Sequence, residues 1–473
     1  MTSTSTSTST STARLSAEAS VENLGAFRQD FRWGLATAAY QIEGAAFEGG
    51  RGASIWDTFS HTPGLSLHGD TGDIACDHYH RWESDLDLLA SLGVTDYRLS
   101  VSWSRLQPTG RGELNAVAAD FYRRLLTGLA ARGIRTLVTL YHWDLPQPLE
   151  DAGGWPSRDT AYRFADFATR TVEALGDLTT DWLTLNEPWC SAFLGYGNGA
   201  HAPGRQDYRA AIHAAHHLNL AHGLAVAGIR SVMPNAAVGI TNIVTDIVAA
   251  TDSADDALAA AGLDAASNRV FLDPVYQGVY SDAVWRTLGH RGLSDVVQEG
   301  DLAIISAPTD FAGINHYQRV IASHDATQPF GAVEKPAQPA TTSFGWSVIP
   351  ESLTAVLTRV SREFTSLPLF VTENGASYDD YVDPNGDIVD VERIAYLRGY
   401  FGAAADAIAA GVDLRGYYVW SFLDNFEWAE GYSKRFGLVW VDYRTQERIP
   451  KLSAHWYQRL ITEHREVVAY TTA

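Results

Sequence analysis

The hydrophobic residues of this chain gather in eight short runs, separated by longer stretches of mixed polarity. The runs cover residues 31–40, 96–103, 134–143, 182–187, 237–243, 311–317, 369–373 and 417–422. Several of them are almost wholly apolar, which is typical of parallel strands that are covered on both faces. We therefore predict eight buried parallel strands.

The stretches between these strands show the spacing of amphipathic helices. Asn115, Ser157 and Pro350 stand where three of these helices begin, and Gly93 and Gly411 stand where two others end. Eight strands that alternate with helices predict an α/β protein with a single closed (β/α)8 TIM barrel and long loops after the strands. An open, doubly wound sheet is the alternative.

The start of the chain has a different composition. Residues 2–12 are almost entirely Ser and Thr, and such a polar tract cannot bury enough surface to offset the entropy cost of ordering it. We predict a disordered tail over residues 1–26 and the barrel over residues 27–473.

Charge and cysteine content exclude several classes of function. With 35 basic and 56 acidic residues the net charge is −21, and no basic block offers a footprint for nucleic acid. Cys76 and Cys190 are too few for a disulfide scaffold or a cysteine-rich metal site, and we predict no cofactor and no metal. The chain shows neither a membrane-spanning run nor a secretory leader, so a cytoplasmic location is expected.

Polar and aromatic side chains follow the ends of the predicted strands, where barrel enzymes place their active sites. They are Gln41 and Glu43, Arg98, His142 and Trp143, Asn186 and Glu187, Asn315 and Tyr317, Glu373, and Trp420 with Glu427 and Trp428. Carboxylates, amides and indoles together suit a neutral ligand with many hydroxyl groups. The sequence therefore predicts a sugar pocket.

Two glutamates stand out because each ends an apolar strand beside an asparagine. Glu187 follows Asn186, and Glu373 precedes Asn374. Burying an unpaired carboxylate costs several kcal/mol, roughly, so each needs a partner or a task. Either one alone could cap a helix or pair with an arginine. The pair favours acid/base or nucleophilic chemistry, as in the cleavage of a glycosidic bond.

Five motifs, in this order along the chain, carry a specific resemblance to a known family. They are FRWGLATAAYQIEGA from Phe31, YHWDLP from Tyr141, TLNEP from Thr184, VTENG from Val371 and WSFLDNFEW from Trp420. From about Phe27 to its end the chain resembles family-one glycoside hydrolases, the β-glucosidase family. The resemblance implies a retaining β-glucosidase that acts on cello-oligosaccharides or on aryl and alkyl β-glucosides, with side activity on β-galactosides or β-fucosides.

The resemblance also implies a role for each strand-end residue. Glu187 corresponds to the general acid/base and Glu373 to the nucleophile, which Arg98, Tyr317 and Asn315 would support. The substrate-binding positions are Gln41, His142, Trp143, Asn186, Trp346, Trp420, Glu427 and Trp428. A loop over residues 322–343 is expected at the entrance.

Other functions remain as alternatives. A sugar acceptor could replace water, which would make the protein a transglycosylating β-glycosidase, and a non-catalytic sugar-binding barrel would not need both glutamates. Glu427 and Trp428 disfavour a 6-phosphoglycoside substrate, although Lys434 leaves some room for phosphate. Glu187 disfavours a thioglucosidase, because those relatives carry glutamine there.

A histidine-rich stretch invites a metal-binding interpretation. Histidines stand at positions 213, 216, 217 and 222, but no acidic ligand accompanies them in a His-Glu-x-x-His pattern. Packed histidines on an alanine-rich helix are the favoured interpretation.

Overall fold

The computed structural model describes Val21, residues 23–338 and residues 341–471. Most of the predicted Ser/Thr-rich tail lies outside the described residues. Val21 and Leu24 are already buried, and Leu24–Ala26 forms a short 3-10 helix. The packed part of the chain therefore begins a few residues before Phe27.

Eight parallel strands close into a barrel in chain order, which confirms the predicted fold. They are β1 (Arg32–Ala36), β2 (Asp96–Ser100), β3 (Arg135–Tyr141), β4 (Asp181–Asn186), β5 (Ala237–Ile243), β6 (Phe311–Asn315), β7 (Leu369–Asn374) and β8 (Leu414–Trp420). Strand β1 pairs with both β2 and β8, so no edge is left open.

Strands β1 and β2 end three or four residues earlier than their apolar runs suggest, more than any other strand of the barrel. After β1 and β2 the chain forms the short helices Ala39–Ile42 and Trp103–Leu106, whose residues are all buried. Because these turns bury the same kinds of side chain as the strands do, hydrophobicity alone does not mark the boundary.

The strand registers shift where the candidate site begins. On the pair β4–β5, Leu183 aligns with Gly239 but Asn186 aligns with Thr241, so three steps on one strand match two on the other. Strand β7 has a similar irregularity against β6, just before Glu373. Such bulges turn side chains to new directions, and here they lie next to both glutamates.

Helices cover the outside of the barrel. The α-helices of six residues or more are Ile55–Ser60, His78–Ser91, Ala116–Ala131, Arg158–Leu175, Tyr208–Val232, Ala254–Asp264, Val270–Gln277, Asp282–Leu288, Glu351–Glu363, Val391–Ala409 and Leu452–Thr471. The shorter ones, besides those after β1 and β2, are Gln147–Asp151, Leu293–Val296 and Asp301–Ile305, and the π-helical segments are Cys190–Gly197 and Ala265–Arg269. Further 3-10 turns are Leu67–Gly69, Gly289–Arg291, Pro329–Gly331 and Trp428–Glu430.

The predicted helix signals have mixed outcomes. Asn115 accepts a hydrogen bond from the backbone N–H of Val117, as an N-cap should, whereas Ser157 occupies the cap position without a side-chain cap bond. Gly93 and Gly411 have φ angles of 70° and 97°, which suit glycine after a helix. In the described part of the chain every helix is too short or too polar to cross a membrane.

The entrance segment is more ordered than the sequence predicts. Instead of a long loop, Asp246–Ala249, Arg319–His324 and Ala332–Pro336 form a three-stranded sheet. Its buried face packs Val320 and Ala322 against Ala259 and Leu263 of a neighbouring helix. The Pro- and Thr-rich composition of residues 322–343 concealed the strand Ala332–Pro336. A two-stranded sheet, Val439–Asp442 with Glu447–Pro450, lies near the end of the chain.

Candidate active site

Glu187 lies immediately after β4 and is 3% exposed. Its φ of 44° and the following Pro188 turn the chain sharply away from the barrel, and Cys190 N–H donates to the Glu187 carbonyl across this turn at 3.0 Å. Asn315 Nδ2 donates to Oε1 of Glu187 at 2.7 Å, and Cys190 Sγ donates to Oε2 at 3.2 Å. Burial, and next the negative charge of Glu373, raise the pKa of Glu187 to about 8.

Glu373 lies on β7 and has a different environment. The guanidinium group of Arg98 forms an ion pair with its Oε1, and Tyr317 Oη donates to its Oε2 at 2.8 Å. Arg98 is fully buried and also donates to the carbonyl of Thr372 at 3.1 Å. A fixed positive charge and a hydroxyl donor favour the ionised carboxylate.

A chain of amides connects the two carboxylates. Arg98 Nη2 donates to Asn186 Oδ1 at 2.7 Å, and Asn315 Nδ2 donates to the same oxygen at 3.1 Å. Asn186 Nδ2 therefore faces His142 Nε2, 3.0 Å away, and the histidine must accept. Burial and then Arg98 lower the pKa of His142, in keeping with a neutral ring.

The side chain of Asn315 contacts Glu187, to which its amide nitrogen donates. Its backbone pairs with that of Glu373, and the support of Glu373 that the family resemblance implies stays a prediction. The hydroxyl of Thr372 donates to Asn315 Oδ1 at 2.7 Å and so turns the amide nitrogen toward Glu187. Sequence reasoning missed Thr372, because a hydroxyl that orients another side chain leaves no pattern of its own in the sequence.

A third buried carboxyl group, Glu427, lies at the other end of the site. Gln41 Nε2 donates to Asn425 Oδ1 at 3.0 Å, to the Phe426 carbonyl at 2.9 Å and to Glu427 Oε2 at 3.3 Å. Burial, followed by the charges of Glu373 and Glu187, raises the pKa of Glu427 to about 8. Among the described residues no group donates to Gln41 Oε1, which leaves an acceptor beside this carboxyl group.

Aromatic rings enclose these polar groups. The ring of His142 lies 5.9 Å from the rings of both Trp420 and Trp428, and Trp143 packs on Trp428 at 4.6 Å. Trp143 donates its indole N–H to the Asn186 carbonyl at 2.9 Å, so it serves as a wall. Trp346 packs on Tyr317 at 5.1 Å.

One cavity of about 360 Å³ brings most predicted site residues together. Its wall includes His142, Trp143, Glu187, Tyr317, Trp346, Glu373, Trp420, Glu427 and Trp428. The other four, Gln41, Arg98, Asn186 and Asn315, are fully buried and reach the wall through hydrogen bonds. Apolar residues that the sequence reasoning missed line the outer part: Trp189, Leu194, Ile247, Leu263, Val320, Phe344 and Phe436.

The backbone is unusual at three of these positions. Trp143, Glu187 and Trp428 have φ angles of 79°, 44° and 52°, in the left-handed region that non-glycine residues rarely adopt. Each costs on the order of 1–3 kcal/mol and persists only where the surroundings enforce it. Such positions are common at functional sites, and three of the ten among the described non-glycine residues lie in this one.

Lys434 binds protein groups near the entrance of the site. Lys434 Nζ donates to the Ser343 carbonyl at 2.8 Å and lies 3.9 Å from Glu430. The phosphate-binding alternative for Lys434 therefore loses its support.

Three of the four histidines of helix Tyr208–Val232 make hydrogen-bond contacts in the packed interior, whereas Nε2 of the fourth, His213, has no such partner among the described residues. His216 contacts Tyr280 and Asp301, His217 contacts the Trp155 carbonyl, and His222 contacts Thr184. Across the described ranges, no cluster of three or more His, Cys, Asp or Glu residues is arranged to hold a metal ion. These contacts agree with the packed interpretation.

Comparison with known proteins agrees with this geometry. The chain is 42% identical to Beta-glucosidase A of Thermotoga maritima, over 93% of this chain and 98% of the relative. It is 45% identical to the Bifunctional beta-D-glucosidase/beta-D-fucosidase of Bifidobacterium breve, with the same coverage. The GH1 beta-glucosidase structure from Exiguobacterium antarcticum B7 superposes with a TM-score of 0.90 at 43% identity, covering 93% of this chain and 99% of that one. The model of Glycosyl hydrolase family 1 matches residues 23–466, and the chain therefore belongs to that family.

Proposed function

We propose that Glu187 and Glu373 hydrolyse terminal β-D-glucosyl residues with retention of anomeric configuration. The observation that carries this proposal is the contrast between two carboxyl groups in one cavity. Glu373 is ion-paired with Arg98 and accepts a hydrogen bond from Tyr317, whereas burial and the charge of Glu373 keep the proton on Glu187. A pair of this kind provides an acid and a nucleophile at the same pH.

In the first step the Glu373 carboxylate attacks the anomeric carbon. The bond to the glycosidic oxygen breaks, and Glu187 delivers its proton to that oxygen, so the aglycone leaves as an alcohol. A covalent glycosyl ester on Glu373 results. Direct attack requires the two carboxyl groups to stand roughly 5 Å apart across the sugar.

In the second step Glu187 changes from acid to base, and Glu373 becomes the leaving group. Once Glu373 is esterified, it no longer carries a negative charge. Burial still raises the pKa of Glu187, but the repulsion from Glu373 is gone, so this pKa falls. Glu187 then accepts a proton from water, whose oxygen attacks the anomeric carbon and releases the sugar and the Glu373 carboxylate.

The remaining residues hold the sugar. Glu427 and Gln41 offer paired donors and acceptors to neighbouring hydroxyl groups, Asn186 and His142 serve the hydroxyl beside the reacting carbon, and Trp420 lies beneath the ring. The names of the relatives support glucosides as substrates, and the bifunctional relative supports side activity on fucosides. The names of these relatives also favour hydrolysis over the two alternatives, a transglycosylating β-glycosidase and a non-catalytic sugar-binding barrel.

The experiment that tests these roles compares two kinds of leaving group. We expect Glu187→Ala to lose roughly 10²- to 10⁴-fold in kcat/KM on cellobiose, which needs protonation, and much less on a dinitrophenyl β-glucoside, which does not. Glu373→Gln should be inactive on both. An equal loss on both substrates for Glu187→Ala would contradict its role as the acid.

The proposed function also bears on the partners of the protein. A small neutral glucoside suits the pocket, and a net charge of −21 disfavours nucleic acid as a partner. The cytoplasmic location expected from the sequence stays a prediction.

A further inference from the structure

The thiol group of Cys190 is a polar side chain of the site that the proposed mechanism does not use. It begins the π-helical segment Cys190–Gly197, is 4% exposed and lies 3.2 Å from Oε2 of Glu187. The backbone turn from Glu187 to Cys190 fixes this approach, since Cys190 N–H donates to the Glu187 carbonyl at 3.0 Å. The thiol therefore has little freedom to face another group.

The two oxygens of Glu187 have partners of unequal strength. Oε1 accepts a short amide hydrogen bond of 2.7 Å from Asn315, whereas the thiol is the only partner of Oε2 among the described residues. An amide N–H can only donate, so a proton on Oε1 would displace a good hydrogen bond. The proton of the acid form is better placed on Oε2, beside the sulfur.

A thiol suits an oxygen that gains and loses a proton in each cycle. The S–H group is a weak donor, and the sulfur is a weak acceptor. It can donate to Oε2 while Glu187 is ionised and accept from Oε2 while Glu187 is protonated. Burial, with Glu187 and Glu373 nearby, raises the pKa of the Cys190 thiol, so it keeps its proton throughout.

We propose that Cys190 is a positioning residue for Glu187, which holds the proton-bearing oxygen Oε2 in place and stabilises the ionised form that acts as the base. This inference rests on the proposed acid/base role of Glu187. Cys190 lies in the same turn of chain as Glu187 and contacts Oε2. In this arrangement Oε2 carries the proton, and Oε1 accepts the hydrogen bond from Asn315.

The sign of the effect follows from the groups that face Glu187. Glu373 on β7 raises the pKa of Glu187, whereas Arg98 on β2, the Asn315 amide on β6 and the Cys190 thiol lower it. Tyr317 and Glu427 also face this carboxyl group from the loops after β6 and β8. Removing the thiol donor should therefore raise the pKa of Glu187.

The test measures the pH dependence of kcat/KM on an aryl β-glucoside with a poor leaving group. Cys190→Ala removes the thiol, and Cys190→Val removes it while filling its volume. Both should move the alkaline limb upward by about half a pH unit to one unit, the size expected for one weak hydrogen bond to a carboxylate. Cys190→Ser keeps a donor and an acceptor, and its alkaline limb should stay at or below that of the natural enzyme.

Cys76 provides the matched control. It is also a buried free thiol, but it donates to the Asp424 carbonyl, so Cys76→Ala should leave both limbs in place. An alkaline limb that stays unmoved in both Cys190→Ala and Cys190→Val, or that moves equally in Cys190→Ser, would overturn the inference. The Val variant decides the result if the Ala variant folds poorly.

Failure of the proposed function would look different. If Glu187→Gln keeps the alkaline limb of the natural enzyme, then Glu187 is not the acid, and the proposed function itself is wrong. If Glu187→Gln abolishes that limb while Cys190→Ala and Cys190→Val do not shift it, only the role of Cys190 is wrong.

Discussion

Replacing Glu187 by glutamine should stabilise the folded protein at neutral pH, although it removes the proposed acid. In the folded state burial and Glu373 raise the pKa of Glu187 to about 8, from an ordinary value of 4.5. A raised carboxyl pKa means that the folded protein holds this proton more tightly than the unfolded chain does. Its contribution to stability is fully present below pH 4.5 and is lost as the pH rises toward 8.

The magnitude follows from this shift. Between pH 5 and pH 7.5 the unfolded chain releases the proton while most of the folded protein keeps it, which costs about 3 kcal/mol of folding free energy. A glutamine has no proton to release and so escapes this cost. Glu187→Gln should therefore gain about 2–3 kcal/mol in stability, relative to the natural protein, on going from pH 5 to pH 7.5.

Glu373→Gln is the matched comparison, because it changes the partner carboxylate in the same cavity. It leaves the fully buried guanidinium group of Arg98 without its counter-charge. Removing one member of a buried ion pair costs about 3–5 kcal/mol, so this variant should be less stable than the natural protein. The same Glu→Gln change should thus raise the stability of the folded protein at position 187 and lower it at position 373, at neutral pH.

Urea unfolding of the three proteins at pH 5 and pH 7.5, followed by tryptophan fluorescence and circular dichroism, measures these differences. A Glu187→Gln variant whose stability relative to the natural protein is the same at both pH values would refute the reasoning. It would mean that Glu187 is ionised in the folded protein at neutral pH and cannot be the acid.

Three further substitutions test individual contacts of the site. Thr372→Val removes the hydroxyl that orients Asn315, and kcat/KM should fall about tenfold, with its alkaline limb displaced; an unchanged profile counts against this orientation. Tyr317→Phe removes a donor to Glu373, and kcat/KM should fall about 10- to 100-fold at an unchanged melting temperature. Lys434→Met frees the entrance segment, so KM for aryl glucosides should rise several-fold with kcat nearly constant; a loss confined to kcat speaks against that role.

Much of the fold was predictable because buried parallel strands leave continuous apolar runs. All eight barrel strands overlap such runs, and the limits agree for Ala237–Ile243. The predicted strand ends were wrong where a buried helical turn follows the strand, as at Ala39–Ile42. A strand and a buried turn bury the same kinds of side chain, so the apolar run continues past the end of the strand. The entrance strand Ala332–Pro336 was missed because four of its five residues are intermediate or exposed, and exposed positions carry no apolar signal.

The candidate site was predictable to the extent that single residues carry its chemistry. Glu187 and Glu373 were visible because a carboxylate that ends a buried strand needs a reason. Cys190 and Thr372 were not, because each acts through another side chain, and the contact depends on a turn or a strand register that the sequence does not display. The same holds for Asn315, whose amide direction is set by its neighbour on β7.

The measurement that tests the central claim most directly is mass spectrometry of the protein after incubation with 2,4-dinitrophenyl 2-deoxy-2-fluoro-β-D-glucoside. The fluorine slows both steps by opposing positive charge at the anomeric carbon, and the good leaving group allows the first step to proceed. We predict a single added fluoroglucosyl group, carried by the peptide that contains Glu373. A label on any other residue, or turnover without a covalent adduct, would contradict the double displacement.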